Sequence, residues 1–294
     1  MKTDWREPGE PTGGPAMPQM ALPTLTPMTK RLLILNGIVF GAWFLVFLVN
    51  DTIVTDYLLP GLGLKPDLWR EWFPFVPVWQ LFTYGFLHDP LSLMHLAGNM
   101  LMLYFFGTML EGILGARRFL VTYLGAQLSG ALFYLVTGLL VPLFSAADGL
   151  TEPVPMKAAI GASGAVYGIL IAAATMRPRQ TVVLLFIPIT MKMLAIGFLV
   201  FALFGMLISF KGADDGVAHM VHLGGIVYGF AAVKLGWVWR DPVQIVEAKR
   251  AIRTEERRVD ESQEMDRLLE KIHREGMSAL TKREKSFLKR VSKK

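Results

Sequence analysis

Three short segments carry residue types that could do chemistry in otherwise apolar surroundings. They are His95 and Asn99, Gly161-Ala162-Ser163-Gly164 with Tyr167 and Gly168, and His219 and His222 with Gly225 and Gly229. A serine hydroxyl becomes a useful nucleophile when a base stands within hydrogen-bond reach, and an imidazole can be that base. At 100° per residue, His222, Gly225 and Gly229 fall within about 60° of one another, so His222 lies on a glycine face where a second backbone can come close. Ser163 and His222 are therefore the candidate nucleophile and base. His219 points roughly 90° away from that face and is expected at the rim of a cavity or in a loop, beside Asp214 and Asp215. Ser163 and Tyr167 are four apart and share a helix face, so the tyrosine ring can lie beneath the imidazole. No aspartate falls at a matching depth, which leaves packing to do the work of an orienting carboxylate.

His95 and Asn99, at i and i+4, can both donate to a developing oxyanion. Ser163 opens a helix, so its own N–H is a third donor and the helix dipole favours negative charge there. Each feature has an ordinary explanation: a serine or a Gly-x-x-x-Gly pair packs helices, and a histidine beside an asparagine can bond across a helix contact. Their coincidence at one depth in three segments outweighs those readings.

The elements that must position these groups are membrane spans. The chain of 294 residues is 53% hydrophobic and 18% charged. Residues 240 to 294 hold 16 of its 30 Lys and Arg and 11 of its 24 Asp and Glu. The net +6 therefore belongs mostly to a soluble appendage, which argues against a basic nucleic-acid-binding body. Apolar stretches at about 32–49, 91–112, 119–141, 159–176, 193–210 and 217–239 predict six spans, each near the length a hydrocarbon core of about 30 Å requires. Residues 1–29, rich in Pro and Gly, predict a disordered N-terminal tail without the apolar core of a signal peptide. The body runs over 30–240 and a charged helical tail over 241–294.

Lys30, Arg31, Arg117, Arg118, Arg177, Arg179, Lys192 and the tail gather on one side of these spans, while the other offers only Lys65, Arg70, Lys157 and Lys211, accompanied by Asp51, Asp56, Asp67, Glu71, Asp148, Glu152, Asp214 and Asp215. The basic side is the inner one, so both termini are expected in the cytoplasm and the polar groups in the outer part of the bilayer. The aromatic loop over about 51–90 is expected in the outer interface, and Val182 to Ile189, broken by Pro188, is read as an inner-surface lead into the fifth span. In the tail, two short amphipathic helices joined at Gly276 to Thr281 are expected, with Thr281 as N-cap.

The sequence resembles the rhomboid family of intramembrane serine proteases. The resemblance rests on G-x-S-G-x-x-x-G at Gly161 to Gly168, H-x-x-x-N at His95 to Asn99 and H-x-x-G-x-x-x-G at His222 to Gly229, in that order, with weaker echoes at Trp79-Gln80 and at Glu111-x-x-Leu114-Gly115-x-Arg117. Many members have arginine where this chain has Gln80. The resemblance implies an all-α, six-span bundle in a bacterial plasma membrane and a Ser163–His222 dyad that cleaves transmembrane proteins near their outer ends. It also implies an oxyanion site of His95, Asn99 and the Ser163 N–H, supported by Tyr167, Gly161, Gly164, Gly168, Gly225 and Gly229, with no metal or cofactor.

Rival readings fit less well. An inactive rhomboid-like scaffold would typically lack the serine or histidine. A histidine-using transporter would ordinarily show repeated span architecture or mid-membrane carboxylates, and a zinc protease lacks its H-E-x-x-H. With no cysteine in the sequence, thiol chemistry is excluded. The charge pattern makes a direct prediction. Tags at residues 1 and 294 should be protected in right-side-out vesicles while a site within 211–216 is open to an added protease, and the opposite accessibility would reverse the orientation.

Overall fold

The computed structural model describes residues 23–147, 157–184, 187–210 and 217–291. Most of the expected N-terminal tail lies outside those residues, as do Asp148, Glu152 and the 211–216 loop. The chain forms two compact units, Met1–Val238 and Trp239–Lys294.

In the first unit, α1 spans Pro27–Val49, α2 Leu93–Leu114 with a π-helical turn at Leu103–Gly107, and α3 Ala116–Ala147. These are followed by α4, Ser163–Met176, the strands β1, Thr181–Leu184, and β2, Ile187–Thr190, then α5, Met191–Phe210, and α6, His219–Lys234. Four helical stretches, Pro27–Val49, Leu93–Leu114, Ala116–Leu140 and Met191–Ser209, are long and apolar enough to cross a membrane. α4 and α6, with 14 and 16 residues, reach only about 21 and 24 Å at 1.5 Å per residue. They are the two helices that carry Ser163 and His222.

Helices suit such sequences because in lipid each backbone group must be paired within its own segment. α1 is apolar all round and exposes Ile38, Leu45 and Leu48, as a lipid-facing helix would. α4 is the opposite case: every residue from Gly164 to Ala174 is buried. Its small residues, Gly164, Ala165, Gly168, Ala172, Ala173 and Ala174, let α3 and α6 close around it. Gly164 lies against Gly225 and Gly168 against Gly229, so α4 and α6 run parallel and in register. α3 runs antiparallel to α6, with Gly125 at Tyr228 and Gly130 at Val221, and Ser129 Oγ donates to the Gly224 carbonyl at 2.8 Å.

α1 is anchored through its first turn. The Glu111 carboxylate of α2 accepts from the N–H groups of Met28 (2.9 Å) and Thr29 (2.8 Å) and from the hydroxyls of Thr26 (2.5 Å) and Thr29 (2.8 Å). An acid from another helix thus caps the free N–H groups of α1 and complements its dipole. Between α1 and α2, Gln80 is fully buried. Its Oε1 accepts from Trp69 Nε1 at 3.1 Å and its Nε2 donates to the Pro60 carbonyl at 2.8 Å. The amide therefore ties this loop together.

Several expectations need correction. The helix expected from 159 starts at Ser163, because Ala159 pairs with Leu64 as an isolated bridge and Gly161 has φ 115. The helix expected through 239 ends at Lys234, followed by Gly236 at φ 70. Residues 181–184 and 187–190 form an antiparallel pair, Thr181 opposite Thr190 and Val183 opposite Pro188, since their β-branched Thr, Val and Ile residues suit extended backbone better than a helical lead-in.

The second unit contains α7, Pro242–Glu275, and α8, Lys282–Val291. α7 has 34 residues and is not the short helix expected. It is sustained by pairs such as Arg257–Glu261 and Arg267–Glu264 at helical spacing. Gly276 ends it at φ 78. Thr281 and Glu284 then cap α8 reciprocally: the Thr281 N–H donates to Glu284 at 2.7 Å and the Glu284 N–H to Thr281 Oγ1 at 3.3 Å. The Thr281 N–H, followed by Lys271 and the Thr281 hydroxyl, holds the Glu284 carboxyl down at about 2. Its contribution to the hairpin is present above the ordinary carboxylate range and is lost as pH falls through about 2.

The glycine contacts are testable. A Cβ on Gly229 would meet the Gly168 carbonyl oxygen, whereas one on Gly37 meets nothing within 4 Å. Gly229→Ala should therefore cost about 1–3 kcal/mol through overpacking, seen as a lower thermal midpoint in detergent, and Gly37→Ala should leave the midpoint within error. Equal midpoints for the two variants would refute close packing at Gly229.

Candidate active site

Ser163 is the first residue of α4, so its N–H has no acceptor within the helix. His222 lies one turn into α6 and is buried. The parallel glycine contacts bring the two together, with His222 Nε2 2.8 Å from Ser163 Oγ. Tyr167 is stacked on the imidazole, with ring centroids 4.1 Å apart and planes 7° from parallel. The tyrosine also meets Phe198 of α5 edge-on at 5.0 Å. The imidazole is thus held by a flat aromatic surface that is itself braced.

His95 and Asn99 reach the same place from the first turns of α2. A Cβ on Gly161 would stand 2.6 Å from His95 Nε2 and 3.5 Å from Asn99 Nδ2. Gly161 is therefore required twice, for its positive φ and for the room it leaves these two side chains. Asn99 is buried, and its Nδ2 has no hydrogen-bond partner among the described residues. A buried amide donor without an acceptor is costly. An anionic oxygen beside Ser163 would supply that acceptor. All ten residues singled out from the sequence thus lie in this cluster or at the helix contact beneath it.

His219 departs from its expected place. It is 3% exposed, its ring fills the space left by Gly205 of α5, and it meets Phe201 edge-on at 5.6 Å and His222 at 5.9 Å. It is a packed residue between α5 and α6, away from any rim, because Gly205 opens a slot for it.

Three contributors were missed from the sequence. His88 is fully buried and 5.1 Å from the His95 ring, and its Nε2 accepts the Ala162 N–H at 3.5 Å. Burial, with the nearby His95 second and the Phe86 backbone opposing, pushes its imidazole down to about 4, so it is neutral at ordinary pH. Tyr84 takes the Gly161 N–H on its carbonyl at 2.9 Å and donates its hydroxyl to the Gln127 carbonyl at 2.7 Å. Gln127 Nε2 in turn donates to the Phe82 carbonyl at 2.6 Å. A signal existed for His88 alone, since four of the five histidines fall in the apolar body.

The rhomboid domain family matches residues 77–238, more than half of the chain, and encloses every one of these residues. The chain belongs to the rhomboid family. Its segment 252–294 matches a family of unknown function (DUF6576). The rhomboid chain is 30% identical over 200 residues to the rhomboid protease GluP of Bacillus subtilis, covering 66% of this chain and 32% of that protein. It is 31% identical over 148 residues to the mitochondrial RHOMBOID-like protein 12 of Arabidopsis thaliana, covering 49% and 42%. It is also 28% identical over 168 residues to the mitochondrial presenilin-associated rhomboid-like protein of Rattus norvegicus, covering 55% and 40%. The match spans less than half the length of each of these relatives. Together with the apolar helices, the family makes the chain a multi-pass membrane protein.

The choice between the two histidines can be measured by labelling with a fluorophosphonate, which reports an activated serine. His222→Ala should abolish labelling at Ser163. His219→Ala should keep substantial labelling while lowering the thermal midpoint, because it leaves a hole beside Gly205. Loss of labelling in a well-folded His219→Ala, with retention in His222→Ala, would assign the base to the wrong histidine.

Proposed function

We propose that this rhomboid is an intramembrane serine endopeptidase that cleaves transmembrane proteins near the outer face of the bilayer. The observation that carries the reading is the 2.8 Å approach of His222 Nε2 to Ser163 Oγ, beside a buried Asn99 amide with no partner among the described residues. His222 takes the proton as Ser163 Oγ attacks the scissile carbonyl carbon. The oxyanion so formed accepts from Asn99 Nδ2, from His95 and from the Ser163 N–H at the positive end of α4. Collapse of the tetrahedral intermediate breaks the C–N bond, and His222 returns its proton to the departing amine. Water then repeats the sequence on the acyl ester, with His222 again as base. GluP, a relative named as a rhomboid protease, makes the same chemistry the natural reading here.

Six crossings belong to the same proposal. So do cytoplasmic termini, for which the positive-inside bias is the support, and a bacterial plasma membrane, for which the likeness to GluP of Bacillus subtilis is the support. The aromatic residues Phe73 and Phe75, 78% and 85% exposed, suit an outer interface.

Ser163→Ala should lower cleavage of a reconstituted transmembrane substrate by roughly 10⁴-fold or more, with an unchanged thermal midpoint. Asn99→Ala should lose roughly 10- to 1000-fold in kcat, the scale of one oxyanion donor, with a smaller change in KM. Residual turnover near wild type in purified Ser163→Ala would remove the serine from the reaction. An Asn99→Ala effect confined to KM would make that residue structural.

A further inference from the structure

The proposed chemistry leaves the second unit without a task, and its charge is not distributed as a solvated helix pair would distribute it. α7 carries eight basic and nine acidic residues, and residues 282–294 carry seven basic and one acidic. The positive excess of the tail therefore sits at its end. α7 pairs its surface charges along its own length, as in Arg257–Glu261, Arg258–Glu255 and Arg267–Glu264. α8 instead repeats one sign, with Lys282, Arg283, Lys285, Lys289 and Arg290 against a single acid, Glu284.

Which side of α8 faces α7 is fixed by its single acid. Glu284 takes Lys271 Nζ at 3.1 Å and Arg267 at 3.3 Å, both from α7. Phe287, Leu288 and Val291 share that side and are half-buried, while Leu268 and Leu280 of the hairpin are buried. Lys282, Arg283, Lys285, Lys289 and Arg290 occupy the other side, an arc of about 160° at 100° per residue. All five are exposed, and the sole remaining residue of that arc is Ser286. Like charges at i+3 and i+4 repel and weaken an isolated helix, so this arrangement is favoured when anions lie against it.

We propose that this cationic face docks on the anionic headgroups of the bilayer that holds the protein's own membrane helices. A phosphate-rich plane is the polyanion that a membrane-tethered tail meets at high local concentration, and clustered Lys and Arg on such a helix are drawn to it electrostatically. The contact lies on the surface and does not insert, because the apolar side of α8 is turned toward α7. It is independent of the protease reading and rests on the chain being a membrane protein.

The absence of cysteine from the sequence makes Ser286→Cys a single labelling site at the centre of the face. Full-length protein carrying a donor dye there is placed in nanodiscs of phosphatidylcholine alone or with about one-third phosphatidylglycerol, with an acceptor on a fraction of headgroups. Energy transfer should be at least severalfold higher in the anionic discs at low salt and should fall toward the zwitterionic level at about 0.5 M salt, where the screening length drops to a few ångströms. Changing all five cations to Gln should abolish the difference at unchanged helical circular dichroism. Equal transfer in both discs, insensitivity to salt, or retention by the five-Gln protein would each overturn the proposal. Displacement of the tail from anionic discs by submicromolar single-stranded RNA would also overturn it and make the face a nucleic-acid surface. Failure of the chain to enter discs at all would refute the membrane reading and the proposal together.

Discussion

Everything at the site depends on two helices touching through backbone atoms. With Gly225 over the Gly164 carbonyl and Gly229 over that of Gly168, α4 and α6 approach as closely as polypeptide allows, and a serine and a histidine can then bridge them at 2.8 Å. A Cβ at either contact has no flexible side chain to push aside; it meets a carbonyl. Lipid offers no hydrophobic drive for helices to associate, so close packing of small residues has to supply the attraction. The same feature thus holds the bundle's centre together and sets the distance between Ser163 and His222, and in the proposed reaction a displacement of about 1 Å at the contact would cost the alignment that proton transfer needs.

How legible this was in the sequence follows from which interactions are local. His222, Gly225 and Gly229 share a face by helical period, and so do Ser163 and Tyr167, so the pairing and the ring stack could be anticipated from spacing alone. The burial of His219 could not, because the slot that takes it is made by Gly205 on another helix. Nor could the start of α4: four residues expected to be helical are kept out of the helix by a bridge from Ala159 to Leu64 and by the positive φ of Gly161, both tertiary consequences. In the tail, Gly276 and Thr281 carry their own local signals, whereas the length of α7 comes from charge pairs that a search for apolar periodicity passes over.

Orienting the imidazole with a ring and not with a carboxylate has an electrostatic logic. A third acid beside His222 would have to be buried next to apolar helices, where an incompletely paired charge is severely penalised. Tyr167 fixes the plane of the imidazole by contact and is fixed in turn by Phe198. Neutral packing therefore does by shape what a triad does partly by charge, and it does so without a second ionised group in the apolar bundle.

Shortening α4 and α6 so that their first residues lie within the protein leaves non-helical backbone inside the body, and such backbone is tolerated only where every polar group finds a partner. Several backbone groups of residues 157–162 find partners in distant segments. The Lys157 carbonyl accepts the Tyr134 hydroxyl at 2.6 Å, Ala159 exchanges both its bonds with Leu64 at 2.9 and 3.0 Å, the Gly161 N–H goes to Tyr84 at 2.9 Å, and the Ala162 N–H turns to His88. Two of those partners are themselves fixed: Tyr84 by Gln127 of α3, and the Leu64 segment by the buried Gln80 amide through the N–H of Lys65 at 3.3 Å. The loop between α1 and α2 is therefore part of the machinery that presents Ser163. Because the free N–H of Ser163 exists only while this segment stays out of the helix, the hydrogen bonds of Tyr84, Leu64 and His88 are what keep that N–H available as the proposed oxyanion donor.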